Sequence, residues 1–219
     1  MNNELYKFSS SSCYEYIASC QVKKDVLIIL EDLDVPNVLE YKLLDTKKRK
    51  ISDGDIETGR RYFAVAYYLD KLWIIGGCSG KHRAIKTIQT FDLVTETLFF
   101  SPVKMIQARS DAKIIVYKNN LFVFGGQDED TKPLNSVEMY SPKTNKFVMM
   151  APMKTARFRF ACCRVGNLVH VVGGQTVDWS TKTKSVEIYN LDTDAWTDGV
   201  DFPIGSSSLG CCVVNNKLV

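Results

Sequence analysis

Leu121-Phe122-Val123-Phe124-Gly125-Gly126 is an apolar run closed by two glycines, and it has two counterparts, Leu72-Trp73-Ile74-Ile75-Gly76-Gly77 and Val169-His170-Val171-Val172-Gly173-Gly174. The doublets begin 49 and then 48 residues apart. Self-similarity at a period of this size is the signature of a repeat architecture. Working outward, each doublet is followed by a polar loop, an alternating stretch and a turn, as in Val137-Glu138-Met139-Tyr140-Ser141-Pro142-Lys143-Thr144 and Val186-Glu187-Ile188-Tyr189-Asn190-Leu191-Asp192-Thr193. Threonine recurs at Thr46, Thr95, Thr144 and Thr193, an aromatic at Phe91, Tyr140 and Tyr189, and a large side chain at Leu98, Phe147 and Trp196.

Thr46 points to a worn copy at the N-terminus. Cys20–Glu31 aligns without a gap on Cys163–Gly174, with Leu30-Glu31 where the glycines belong. A further copy begins at Cys211-Cys212-Val213-Val214. The expected units are therefore 1–56 (degenerate), 57–105, 106–153, 154–202, and 203–219 as the inner strand of another.

One period reads as a small antiparallel sheet. Its runs are short, rich in Val, Ile, Tyr and Phe, and separated by Asn-Asn, Gly-Asn, Asp-Lys and Pro-Lys-Thr-Asn, which is strand and turn chemistry. The pairs Gly76-Gly77, Gly125-Gly126 and Gly173-Gly174 are structural: each ends a buried strand where the chain needs positive φ or another backbone comes close. Tyr140, Tyr189, Phe147 and Trp196 are wedges between stacked sheets. The small residues before each apolar run, such as Ala112 and Ala161, suit strands crowded around a central axis.

These residues resemble the kelch repeat, a four-stranded propeller blade of about 50 residues. The match is close from Arg109 to Trp196 and is weak before residue 57. Ser136-Val137-Glu138-Met139-Tyr140 and Ser185-Val186-Glu187-Ile188-Tyr189 look most like the kelch-like proteins, whose propellers follow BTB and BACK domains. The resemblance implies an all-β kelch β-propeller, here incomplete, with about four blades plus an inner strand. A six-bladed ring would need about 290 residues at this spacing. The expectation is an open arc with unpaired strand edges and poor solubility by itself, with closure as a small four-bladed ring as the alternative.

A formal charge of +3 over 219 residues is too small to imply nucleic acid or an anionic membrane. Apolar runs such as Val26 to Leu30 are far too short to span a bilayer as a helix. Seven cysteines, including the adjacent pairs Cys162-Cys163 and Cys211-Cys212, make poor disulfide design and suggest reduced thiols and a cytoplasmic location. The pairs read as small buried fillers, or as redox sensors given Arg159 and Arg164 nearby. Lys47-Lys48-Arg49-Lys50 reads as a solvated hairpin tip, with a localisation or nucleic-acid patch as the alternative.

The inventory argues against an enzyme. His82 and His170 are the only histidines, no cluster has metal-ligand spacing, and no metal or cofactor is expected. Gly76-Gly77-Cys78-Ser79-Gly80-Lys81 lacks the spacing of a phosphate loop and is followed by His82 where Ser or Thr would hold magnesium.

What remains is protein binding, through loops on a rigid scaffold. The resemblance to kelch-like adaptors places Arg61, Arg109, Ser110, Arg157 and Arg159, in the turns leading into the inner strands, on the partner face. Guanidinium forks suit carboxylates, which makes an acidic peptide the natural ligand. The alternative is that one arginine per blade ties loops together. Two functions follow from the resemblance: the substrate-recognition part of a cullin-RING ubiquitin ligase adaptor, reaching the cullin only through a BTB domain that these residues do not contain, or an actin-binding cytoskeletal scaffold.

Overall fold

The computed structural model describes residues 17–23, 26–32, 38–45, 50–79, 83–177, 180–208, 213–214 and 217–218. Strand is the only regular element among them. Thr46 to Arg49, His82 and the Cys211-Cys212 pair lie outside the described residues. The chain divides into two compact units, Met1–Gly59 and Arg60–Val219.

The first unit holds one antiparallel sheet, β1 (Ile17–Lys23), β2 (Val26–Asp32), β3 (Val38–Asp45) and β4 (Lys50–Glu57), paired in chain order. The second begins with β5 (Ala64–Tyr68) and β6 (Lys71–Ile75), then a short ribbon β7 (Cys78–Ser79) and β8 (Arg83–Ala84), then β9 (Thr87–Asp92) and β10 (Thr97–Lys104). Its first sheet has the order β10-β9-β6-β5. The next two sheets repeat the pattern: β11 (Lys113–Tyr117), β12 (Asn120–Phe124), β13 (Val137–Ser141) and β14 (Lys146–Met150), then β15 (Ala161–Val165), β16 (Leu168–Val172), β17 (Val186–Asn190) and β18 (Ala195–Asp198). The segment expected as a single inner strand near the C-terminus is instead a hairpin, because β19 (Val213–Val214) pairs with β20 (Lys217–Leu218).

Tight reversals make these sheets local. Leu69-Asp70 and Lys118-Asn119 have positive φ at both positions, the two-residue geometry that matches strand twist. Strands β6 and β12, the second strands of their sheets, are buried on both faces, which is why they read as continuous apolar runs rather than alternations. Along β12, Leu121 and Val123 pack with Trp73, Ile75, Ile88, Tyr140 and Phe147. Phe122 and Phe124 face the other way, into a cluster with Val169, Val171, Phe160 and Tyr189. One strand thus feeds two cores by its period of two.

The aromatic wedges sit in these seams. Tyr140 meets Phe147 at 5.3 Å and Tyr189 meets Trp196 at 4.8 Å between ring centroids, pairs that contribute about 0.5–1.5 kcal/mol each beyond the area they bury. Tyr189 is fully enclosed, whereas Trp196 is only partly buried, because its indole lies across the outer rim and donates through Nε1 to the Ala151 carbonyl at 2.8 Å.

The doublets have the expected conformation. Gly125 and Gly126 have φ of 52° and 99°, and a Cβ on Gly126 would press into the Ser110 carbonyl oxygen. The closeness is functional for the fold. The Gly126 N–H donates to the Arg157 carbonyl at 3.0 Å, tying one sheet to the turn that opens the next, and Gly77 reaches Arg109 in the same way at 2.9 Å.

Candidate functional site

The turns leading into β5, β11 and β15 each carry an arginine that the fold consumes. Arg109 Nη1 donates to the Gly125 and Ser136 carbonyls at 2.8 and 3.2 Å, and Nη2 donates to Ser136 Oγ at 3.1 Å and to Glu138 Oε1 at 2.6 Å. Arg157 repeats this lock on Gly173, Ser185 and Glu187, with its ion pair at 2.5 Å. The glutamates complete the join from the other side. Glu138 accepts from the Ile106 and Gln107 N–H groups, and Glu187 accepts from Lys154 and Thr155. Burial pulls both guanidinium pKa values down, and the adjacent carboxylate opposes that pull.

Arg109 and Arg157 therefore do not face a partner. The side chain of Arg109 and that of Glu138 are both 0% exposed, and Arg157 is likewise fully enclosed. Their placement on the ligand face is corrected: each side chain is fully enclosed, and its Nη groups are committed to carbonyls, a serine hydroxyl and a buried carboxylate. Ser110, too, is buried, exchanging backbone hydrogen bonds with Gln127 at 2.8 and 3.0 Å.

Arg61 belongs to a different register. The mate of Arg109 and Arg157 is Arg60, which is buried and donates to the Gly76 and Thr87 carbonyls at 3.1 and 2.9 Å. Gln89 stands where Glu138 and Glu187 stand in the later sheets, and burial holds the Arg60 pKa down to about 10. Arg61 is the mate of Ser110 and Phe158; it bridges Cys78 through backbone bonds and leaves its side chain half-buried.

Two residues after each locked arginine comes a further recurring position, continued one period on by Ser208, at which only Arg159 is among the residues expected on the partner face. Tyr62, Asp111, Arg159 and Ser208 have φ of 56°, 52°, 52° and 55°. The Asp111 N–H donates to the Tyr62 carbonyl at 2.8 Å and the Ser208 N–H to the Arg159 carbonyl at 2.7 Å, so these turns are joined from sheet to sheet. The arginine beneath repeats unchanged at Arg60, Arg109 and Arg157, while this position carries a phenol, a carboxylate, a guanidinium and a hydroxyl. Repetition marks the scaffold. The spacing of 49, 48 and 49 residues was available to find the variable position.

Three of these side chains meet. Arg159 Nε lies 3.5 Å from Asp111 Oδ1, and its guanidinium sits over the Tyr62 ring at 5.8 Å. Asp111 is 2% exposed; burial raises its pKa, against the pull of Arg159 and Lys113. Cys78 borders the cluster. Its thiol pKa is raised by burial, countered by a hydrogen bond with Ser110 and reinforced by the Asp111 charge. Of the Cys162-Cys163 pair expected as buried fillers, Cys163 is buried and Cys162 only half-buried. No group of His, Cys, Asp and Glu among the described residues has the geometry to hold a metal ion. No helix among them is long and apolar enough to cross a membrane. The cluster presents a planar cation, an aromatic face and a buried counter-charge, which is recognition chemistry.

Residues 32–219 match the family model described as the KLHDC2/KLHL20/DRC7 Kelch-repeats domain. Kelch-like protein 26 of Danio rerio is 26% identical over 145 residues, which is 65% of this chain and 24% of that protein. Alpha-scruin of Limulus polyphemus is 27% identical over 174 residues, and beta-scruin is 31% identical over 177, each match covering 75% of this chain and 19% of the scruin. The chain thus spans about a quarter or less of these relatives' lengths. Among solved structures, that of YjhT has a TM-score of 0.79 at 13% identity, covering 95% of this chain and 72% of that one. The fold is the all-β kelch propeller, and the described residues hold four four-stranded antiparallel sheets and a two-stranded hairpin near the C-terminus.

Proposed function

This chain belongs to the kelch-repeat family, and on that premise we propose that it is a non-enzymatic protein-interaction module whose capture surface is the mouth built by Tyr62, Asp111, Arg159 and Ser208, with Arg61 beside it. The observation that carries this is the contrast between buried arginines that repeat and positive-φ positions above them that differ in every blade. The ligand is an acidic peptide. A ligand carboxylate pairs with the Arg159 guanidinium, which stands beside Asp111 with Nε 3.5 Å from Oδ1. Asp111 behind it sharpens selection, because a weakly acidic ligand cannot compete with a carboxylate already in place. In the whole protein the module serves as the substrate-recognition part of a kelch-like adaptor of a cullin-RING ubiquitin ligase.

The binding surface is tested by titrating an oligo-glutamate peptide onto the chain and onto Arg61→Gln and Arg159→Lys variants. Both substitutions should weaken binding, the second because lysine loses the planar fork. Equal binding in both would remove the mouth from the proposal. Co-precipitation of a cullin with the full-length gene product tests the adaptor role. The second reading, an actin-binding scaffold, draws support from the two scruins, whose matches cover more of this chain than that of the kelch-like protein. Co-sedimentation with filamentous actin separates the two.

A further inference from the structure

Two successive blade seams share one plan and differ at every polar position on the outer rim. In the seam between β14 and β18, Trp196 Nε1 donates to the Ala151 carbonyl at 2.8 Å, the Ala151 N–H donates to Asp194 at 2.8 Å, and Lys154 pairs with Asp198 at 2.6 Å. One period earlier, between β10 and β14, Phe147 replaces Trp196 and Asn145 replaces Asp194. Met149 stands in the place of Asp198, and Ile106 in the place of Lys154, its N–H donating to Glu138 as that of Lys154 donates to Glu187. A closing ion pair has become two apolar side chains, 48% and 47% exposed.

The backbone also differs. From the outer strand to the methionine that packs under the doublet, the path from Phe100 to Met105 is one residue longer than that from Met149 to Met153. The register of β10 on β9 breaks between Phe100 and Lys104. Such a bulge at a sheet edge re-aims side chains and ends pairing. Here it opens a groove of about 390 Å³, floored by Pro102, Val103, Ile106 and Phe147 and flanked by Lys104 and Lys146. Phe99, Phe100 and Val148 on the same two outer strands are also exposed. Lys154 finds Asp198, whereas Lys104 and Lys146 have no carboxylate partner among the described residues.

We propose that this bulged seam is a second docking site, separate from the mouth, for an acidic peptide segment of a partner protein that carries a large apolar side chain. The apolar residue occupies the floor over Ile106 and Phe147, and flanking carboxylates pair with Lys104 and Lys146, supplying the charge that Asp198 provides in the neighbouring seam. Exposed apolar surface rimmed by unpaired charge of one sign is the pattern of such a site.

The test is selection from a random-peptide display library on the full chain, with a sealed variant for subtraction. Ile106→Lys with Met149→Asp rebuilds the ion pair of the adjacent seam, so the variant closes the groove with chemistry the fold already accepts. Peptides kept by the native chain and lost by the sealed variant should join Phe, Leu or Trp to two or more Asp or Glu. They should bind about tenfold more weakly, or worse, to Lys104→Glu with Lys146→Glu, a change of exposed side chains that leaves the floor intact. They should bind Arg159→Lys unchanged, which separates this site from the mouth. Identical selections on native and sealed chains would overturn the proposal. So would a concentration-dependent dimer that dissociates on sealing, which would assign the groove to a second copy of this chain.

Discussion

Replacing Glu138 with Gln isolates the lock that joins two blades. The carboxylate accepts from Arg109 at 2.6 Å and from the Ile106 and Gln107 N–H groups at 2.7 and 3.0 Å, and neither charged side chain is exposed. Glutamine keeps the shape but places an amide NH2 against donors on every side. The guanidinium is left buried without its counter-charge, which costs about 3–5 kcal/mol. One N–H loses its acceptor, for about 1–3 kcal/mol more. Against a typical total stability of about 5–15 kcal/mol, this is enough to unfold much of the population. Urea unfolding followed by tryptophan fluorescence measures it, with Asp198→Asn as the control, since the Lys154–Asp198 pair is solvent-exposed and contributes about 0–1 kcal/mol. A Glu138→Gln shift within about 0.5 kcal/mol, the scale of harmless surface changes, would refute the lock.

Gly126→Val should destabilise by at least about 1–3 kcal/mol, because the branched side chain meets φ of 99° and the Ser110 carbonyl; an unchanged unfolding midpoint would show that the turn can relax. Phe147→Ala should cost about 3–5 kcal/mol in the same assay, and Trp196→Ala less, because Trp196 is only partly buried. Burial pushes the Tyr68 hydroxyl up to about 12, where it donates to the Asn119 carbonyl at 2.9 Å. Unfolded tyrosine titrates near 10, so the folded chain keeps this proton longer, and its contribution is complete below about pH 10 and lost as pH rises through about 12. Tyr68→Phe should flatten that alkaline loss, as read from unfolding curves at stepped pH; an unaltered pH slope would assign the loss to other groups.

The repeat, its strands, the glycine pairs and the wedges were legible because they are local. A period-two pattern, turn residues and a recurring doublet each act within a few positions, and three copies in one chain check one another. Even the difference between the locked arginines and the positive-φ positions lay in the spacing, since Arg60, Arg109 and Arg157 share one register and Tyr62, Asp111, Arg159 and Ser208 share the register two residues further on. Burial was not legible. Arg109 and Arg159 are the same residue type, two-residue neighbours of equivalent turns. Only the arrival of Glu138 from another strand, 29 positions away, consumes the first, while the second is left beside Asp111 and Tyr62. Whether a charge serves the fold or faces a ligand depends on what the chain brings to it from a distance, through desolvation and pairing, and no local pattern encodes that. The same holds for the bulged seam: one added residue between Phe100 and Met105 is trivial along the chain, but across two packed sheets it decides whether a rim closes on itself or stays open.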